Sequence, residues 1–245
     1  MSSLVRRPRS LTTITEGRSR QYLGRNARRR NRSDPRFVSN RRHSSGEVSR
    51  VVTPDLRAAL WKEQHPSVLP LAHTFRSAYP DRWVRFHSLP GSKRYPETPS
   101  EYATVLHRYN AILGELFAGT DVFVVTADWS ITSTGPASYS NLRQTLHPRG
   151  IRWWIESDQD DPDPEFHTHT RLYVDRRPWE RGCVDELLRA VADDALAEVF
   201  LTDTELRRIH HPYDGGADVI LATSAERDRV RDQHTDWLSS HPAGL

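Results

Sequence analysis

The block His210-His211-Pro212-Tyr213-Asp214-Gly215-Gly216-Ala217-Asp218-Val219-Ile220-Leu221 sets a turn signal between two short runs of strand character. Asp-Gly and Gly-Gly both suit a two-residue turn that needs positive φ, so the block predicts a β-hairpin with two competing registers. With Asp214-Gly215 at the turn, His211 lies opposite Asp218 and Ile209 opposite Ile220. With Gly215-Gly216 at the turn, Tyr213 lies opposite Asp218. Side chains alternate along a strand, so both registers put His211, Tyr213, Asp218 and Ile220 on one face. His210, Val219 and Leu221 take the other. A chain holding such a hairpin has to supply an antiparallel sheet for it.

The remaining elements agree with that demand. Thr53-Pro54 reads as a helix N-cap followed by proline at the first helical position, and the helix stops before His65-Pro66. Arg82 to Ser88 alternates as a half-buried strand. Thr98 with Glu101 forms a capping box, and Tyr102, Val105, Leu106, Tyr109, Ile112, Leu113, Leu116 and Phe117 repeat at helical spacing up to Gly119. Val122 to Val125 is a continuous apolar run, as in a central strand. Residues 130–150 read as irregular. Ile151 to Ile155 and Phe166 to Val174 read as strands around the acidic loop Asp158 to Asp163. Pro178 is expected to open a second long helix through Leu187, Leu188 and Val199. The last third predicts strands near 206–211 and 217–222, then a helix opened by Thr223 with Glu226. This order predicts an α+β fold: a mainly antiparallel sheet flanked by two long helices, with a C-terminal hairpin and helix.

Charge divides the chain. Residues 1–50 hold 14 arginines against Glu16, Asp34 and Glu47, a balance of +11, whereas residues 51–245 hold 21 basic and 29 acidic residues. The first segment has few apolar positions and no period, so it is expected to be a disordered Arg-rich tail, or the product of a start codon placed upstream of one near Val48 or Val51. Residues 51–245 are expected to form a single α+β domain. The run Arg25 to Arg32 is the one feature suited to gripping nucleic-acid phosphates. Of the 35 basic residues only Lys62 and Lys93 are lysines, which reads as a genomic bias towards arginine. No stretch of 18 apolar residues and no secretory signal is present, and the one cysteine, Cys183, excludes an internal disulfide framework. These features predict a cytoplasmic protein with no membrane partner.

Three groups of residues are candidates for a site. The hairpin face offers His211, Tyr213, Asp214 and Asp218 as binding residues, with a His–Asp pair able to orient an imidazole. Arg85 and His87 leave the strand before Lys93, Arg94 and Tyr95, and are suited to an anionic ligand. His167 and His169 project on one side of a strand just after an acidic loop, so with Asp161 they are candidate ligands of a divalent metal such as zinc or manganese. No phosphate-binding glycine loop, nucleophile elbow, Cys-x-x-Cys or His-Glu-x-x-His occurs.

Two stretches resemble an uncharacterised bacterial family of unknown function. One is Trp83-Val84-Arg85-Phe86, with the helix ending Glu115-Leu116-Phe117 and the strand Asp121 to Val125. The other runs from Tyr213-Asp214 through Gly216 and Asp218 to Ile220, then to a helix closing on Asp236-Trp237-Leu238. The family places an R-F-E strand before a helix, and a Y-D-x-x-G-x-D hairpin before a final helix with a D-W-L ending. His87 stands here where an acidic residue is expected, and Gly215-Gly216 replaces a more charged turn. The resemblance implies a fold and no activity.

The expected function is a non-catalytic module that binds another protein through the hairpin and its flanking strand. The alternatives are a metal-dependent hydrolase using His167 and His169 with a nearby aspartate, and nucleic-acid binding through residues 1–50. No cofactor is implied beyond the divalent metal of the first alternative.

Overall fold

Helix α1 (Pro54–Gln64), helix α2 (Phe75–Ala78) and strand β1 (Trp83–His87) open the part of the chain that the computed structural model describes, residues 54–131, 137–158 and 167–239. The arginine-rich segment 1–50 and Asp161 lie outside the described residues. Helix α3 (Pro99–Phe117), strand β2 (Asp121–Ser130), helix α4 (Ser140–Leu146) and strands β3 (Ile151–Asp158) and β4 (Thr168–Pro178) follow. Helix α5 (Asp185–Ala192), strands β5 (Phe200–Asp203), β6 (Ile209–Tyr213) and β7 (Gly216–Ile220), and helix α6 (Ser224–Gln233) complete the order.

The seven strands among the described residues join one sheet in the order β1-β7-β6-β5-β2-β4-β3, and every neighbouring pair is antiparallel. The fold is α+β. One face carries α3, α5 and α6 over Val84, Phe86, Val122, Val124, Leu201 and Val219. The other carries Trp61, Ala72 and Phe75 of the N-terminal helical region over Phe123, Val125, Val174, Phe200, Ile209 and Ile220. Strand β2 lies between β4 and β5 with both faces covered, which is why Val122 to Val125 reads as an unbroken apolar run. The hairpin is likewise interior, with β1 pairing outside β7. No described helix is long and apolar enough to cross a membrane.

Helix α3 is the long helix that periodicity predicts. Thr98 accepts a hydrogen bond from the Glu101 backbone N–H at 3.2 Å, and Glu101 accepts one from the Thr98 N–H at 3.1 Å. Its apolar stripe buries Val105, Tyr109, Ile112, Leu113, Leu116 and Phe117. At α6 only half of the expected box forms. Thr223 accepts from the Glu226 N–H, while the Glu226 carboxylate takes Arg208 and the Ala222 N–H.

Three expectations are corrected. Pro178 ends β4 instead of opening a helix, so the second flanking helix, α5, starts later and has only eight residues. The cause is Asp194, whose left-handed backbone (φ 55°) halts the helix after Ala192. Leu196 and Val199 are still buried, from the loop beyond it, and their spacing imitates a continued helix. Within 130–150, read as irregular, seven residues form α4. The C-terminal strands run 209–213 and 216–220, shifted by a few residues from the expected ranges.

Removing the α3 cap tests this account of the long helix. Thr98→Ala is expected to cost about 1 kcal/mol of stability, seen as a lower urea midpoint with an unchanged slope.

Candidate functional site

The turn register decides which side chains meet. Ile209 pairs with Ile220, His211 with Asp218 and Tyr213 with Gly216, so Asp214-Gly215 forms the turn. Positive φ falls on Gly215 (93°) and not on Asp214, the pattern of a type II turn. Strand β1 continues the rungs outward, with Trp83 beside Ile220, Arg85 beside Asp218 and His87 beside Gly216. Along this face the first rung is apolar and packs under Ala72 and Phe75. The next two rungs are polar and lie towards the turn.

At the middle rung Arg85 Nε lies 3.2 Å from Asp218 Oδ1, with both side chains largely buried. The Arg85 guanidinium also lies 5.3 Å from the centre of the Tyr213 ring, within cation–π range. The rings of His211 and Tyr213 are 5.8 Å apart. His211 is 9% exposed, and its Nδ1 is buried without a hydrogen-bond partner. Burial pushes the His211 pKa down, while the charges of Glu198 and Asp218 pull it part of the way back. His87 extends the face by one step, with a buried, unpartnered Nε2 and a pKa lowered by burial and by Arg85.

Two further residues join this group that the sequence does not single out. Glu198, before β5, accepts from His73 Nδ1 and from the Ala72 backbone N–H, both at 2.9 Å. Burial pushes its carboxyl up, but the His73 hydrogen bond and the His211 charge more than offset that, leaving its pKa below the ordinary value. The same hydrogen bond raises the pKa of His73. Glu198 stands 125 residues from His73 in sequence, and no local pattern marks it.

Asp214, expected on this face, points elsewhere. Its carboxylate pairs with Arg94 Nε and hydrogen-bonds to Tyr95, fastening the loop after β1 to the hairpin turn. The departure follows from its place in the turn, outside strand alternation. Gly216 supports the close packing here. A Cβ there would lie 2.6 Å from the Phe86 carbonyl oxygen and 2.9 Å from the Tyr213 hydroxyl. On the reverse face the Tyr109 hydroxyl of α3 lies within 2.8 Å and 2.9 Å of the Tyr213 and Gly216 carbonyl oxygens, holding the strand ends at the turn.

The candidate metal ligands do not converge on this group. His169 pairs with Ser130 and Ser157 and hydrogen-bonds to the Ser157 hydroxyl at 2.8 Å. It lies on the sheet face opposite His211, with β5 and β2 between β6 and its own strand β4. His167 precedes β4 and Asp161 is outside the described residues. Among the described residues, no group of three His, Cys, Asp or Glu is placed to hold a metal ion.

A second buried polar group, under α4, also escapes sequence reasoning. His147 Nδ1 lies 2.8 Å from Thr126 Oγ1, and its Nε2 lies 3.4 Å from Asp175 Oδ1. Arg177 grips Asp175 through Nε and Nη2 at 3.2 Å and 2.6 Å. Burial raises the Asp175 carboxyl, yet His147 and Arg177 hold it well below the carboxylate range. Cys183 lines a cavity of about 250 Å³ with His147 and Arg177. Thr126 hydrogen-bonds to Nδ1, while Nε2 is buried beside Asp175 without a hydrogen bond. Residues from four separate segments make this group, and no spacing could announce it.

Residues 71–242, well over half of the chain, match the family described as Domain of unknown function (DUF3885). The chain belongs to the DUF3885 family. No curated protein and no solved structure matches it. The matched span of this DUF3885 chain contains the whole hairpin face together with His73 and Glu198.

Two substitutions probe the DUF3885 hairpin. Gly216 does not have a left-handed backbone, so Gly216→Ala acts by collision with a backbone oxygen. It is expected to cost about 1–3 kcal/mol in denaturant melts. His210, on the reverse face, is fully buried against Tyr109 with neither ring nitrogen partnered. Burial pushes its pKa down from 6.5 to about 3. Unfolded chains bind a proton that folded chains refuse between these values, so stability is present above pH 6.5 and is lost as pH falls towards 3. His210→Leu is expected to flatten the fall of melting temperature with acid. An unchanged pH profile would refute the assignment.

Proposed function

We propose that this DUF3885 protein is a cytosolic bacterial binding module whose contact site for a protein partner is the polar half of the hairpin face. One observation carries the reading: His211 interacts with both the Arg85–Asp218 and His73–Glu198 pairs, and its buried Nδ1 has no hydrogen-bond partner among the described residues. A buried polar atom left unpartnered costs free energy that a bound group can recover. Both signs of charge sit side by side, which suits a partner surface carrying its own paired charges. The aromatic ring of Tyr213 and the guanidinium of Arg85 are the residue types that dominate binding energy at protein interfaces.

The double variant Arg85→Gln, Asp218→Asn removes the charge pair without stranding either charge. Immobilised wild-type protein is expected to retain a partner from bacterial lysate, identified by mass spectrometry. The double variant, folded by circular dichroism, is expected to lose at least nine-tenths of it, since removing contacts at an interface centre costs more than 1 kcal/mol. Equal capture by both proteins sinks the proposal.

A further inference from the structure

Ala127, Trp129, Tyr139, Thr170, Ala197 and Glu198 line a pocket of about 110 Å³ beside the end of β2. Ala127, Trp129 and Thr170 come from one sheet face, because Trp129 pairs with Thr170 and Ala127 is two residues back on the same strand. Trp129 is 40% exposed, unusual for so large an apolar side chain. Tyr139 and Glu198 both carry left-handed backbones, with φ of 67° and 54°. Two of the five non-glycine residues in that conformation among the described residues therefore line this one pocket. Such strain costs free energy and collects at ligand clamps.

Among the residues lining the pocket, one side chain carries a formal charge. Glu198 is the only ionisable carboxylate on its wall. Its one ion-pair partner among the described residues is His73, an imidazole 63% exposed to solvent. No arginine or lysine among the described residues neutralises it. The two aromatic rings supply the negative π-faces that attract a cation.

We infer that the pocket formed by Trp129, Tyr139 and Glu198 binds an alkylammonium group, with the carboxylate as counter-charge and the indole ring against the methylene or methyl carbons. The volume suits a headgroup of a few heavy atoms on a narrow stem. The chemistry is shared by a free amine and by a lysine side chain. The inference shares Glu198 with the hairpin-face reading but uses a different ligand and different variants, so the two can fail separately.

The test is a titration of the full chain followed by the Trp129 indole N–H signal in ¹H–¹⁵N NMR, assigned with Trp129→Leu. n-Butylammonium chloride is expected to shift this signal saturably, and 1-butanol, of similar size without charge, is not. Glu198→Gln, which keeps a hydrogen-bonding carbonyl for the Ala72 N–H, is expected to weaken binding roughly tenfold. Trp129→Leu keeps an apolar wall without the indole π-face and is expected to weaken binding by several-fold, read from the chemical shifts of the ligand. Tighter binding of Nα-acetyl-lysine methylamide than of butylammonium assigns the source to a peptide lysine. Equal or weaker binding assigns it to a free amine. An equal response to 1-butanol, or no saturable shift with butylammonium, overturns the inference.

Discussion

The rung Arg85–Asp218–His211 is the constraint on which the rest of the hairpin face depends. It exists because a two-residue turn at Asp214-Gly215 sets one register, and because β1 pairs on the outer side of β7. A slip of one residue would exchange the faces, placing Asp218 under α3 and Val219 in the polar group. Several features hold the register. Asp214 ties the turn to Arg94, Tyr109 holds the strand ends, and Gly216 lets the Phe86 carbonyl and the Tyr213 ring approach.

The adjacent histidines of β6 show how strand parity divides chemistry. His210 and His211 differ by one position and face opposite sides of the sheet. His210 enters the apolar core against Tyr109, where burial favours the neutral imidazole. His211 is nearly as buried, but Glu198 and Asp218 offset part of the desolvation that disfavours its charged form. The first is a core residue with an acid liability. The second stands among charged groups, beside Asp218 and Glu198.

Glu198 links the hairpin face to the pocket at the end of β2. Its carboxylate holds Ala72 and His73 from the N-terminal helical region and also forms a wall beside Trp129 and Tyr139. Its left-handed backbone brings the chain back towards the sheet after the short helix α5. The polar group under α4 is different in kind. There Asp175 is gripped by Arg177 and faced by His147, which reads as a network that fixes β4 against the covering segment.

The sequence alone determined the elements whose signals are local. Thr98 with Glu101 marked the long helix, the Val122 to Val125 run marked the central strand, and the Asp-Gly turn marked the hairpin and the shared face of His211, Tyr213 and Asp218. It also resembled a family of unknown function, and residues 71–242 match the DUF3885 model. The length of α5 was hidden because Leu196 and Val199 continue the helical spacing from a loop, and spacing does not record the left-handed turn at Asp194. Only the tertiary structure chose between the hairpin registers, turned Asp214 away, separated His169 from His211, and brought in His73 and Glu198. Those outcomes depend on which strands pair and which faces are covered. The contacts that turn Asp214 away and bring in Glu198 join residues a hundred or more positions apart, and no periodicity along the chain encodes them.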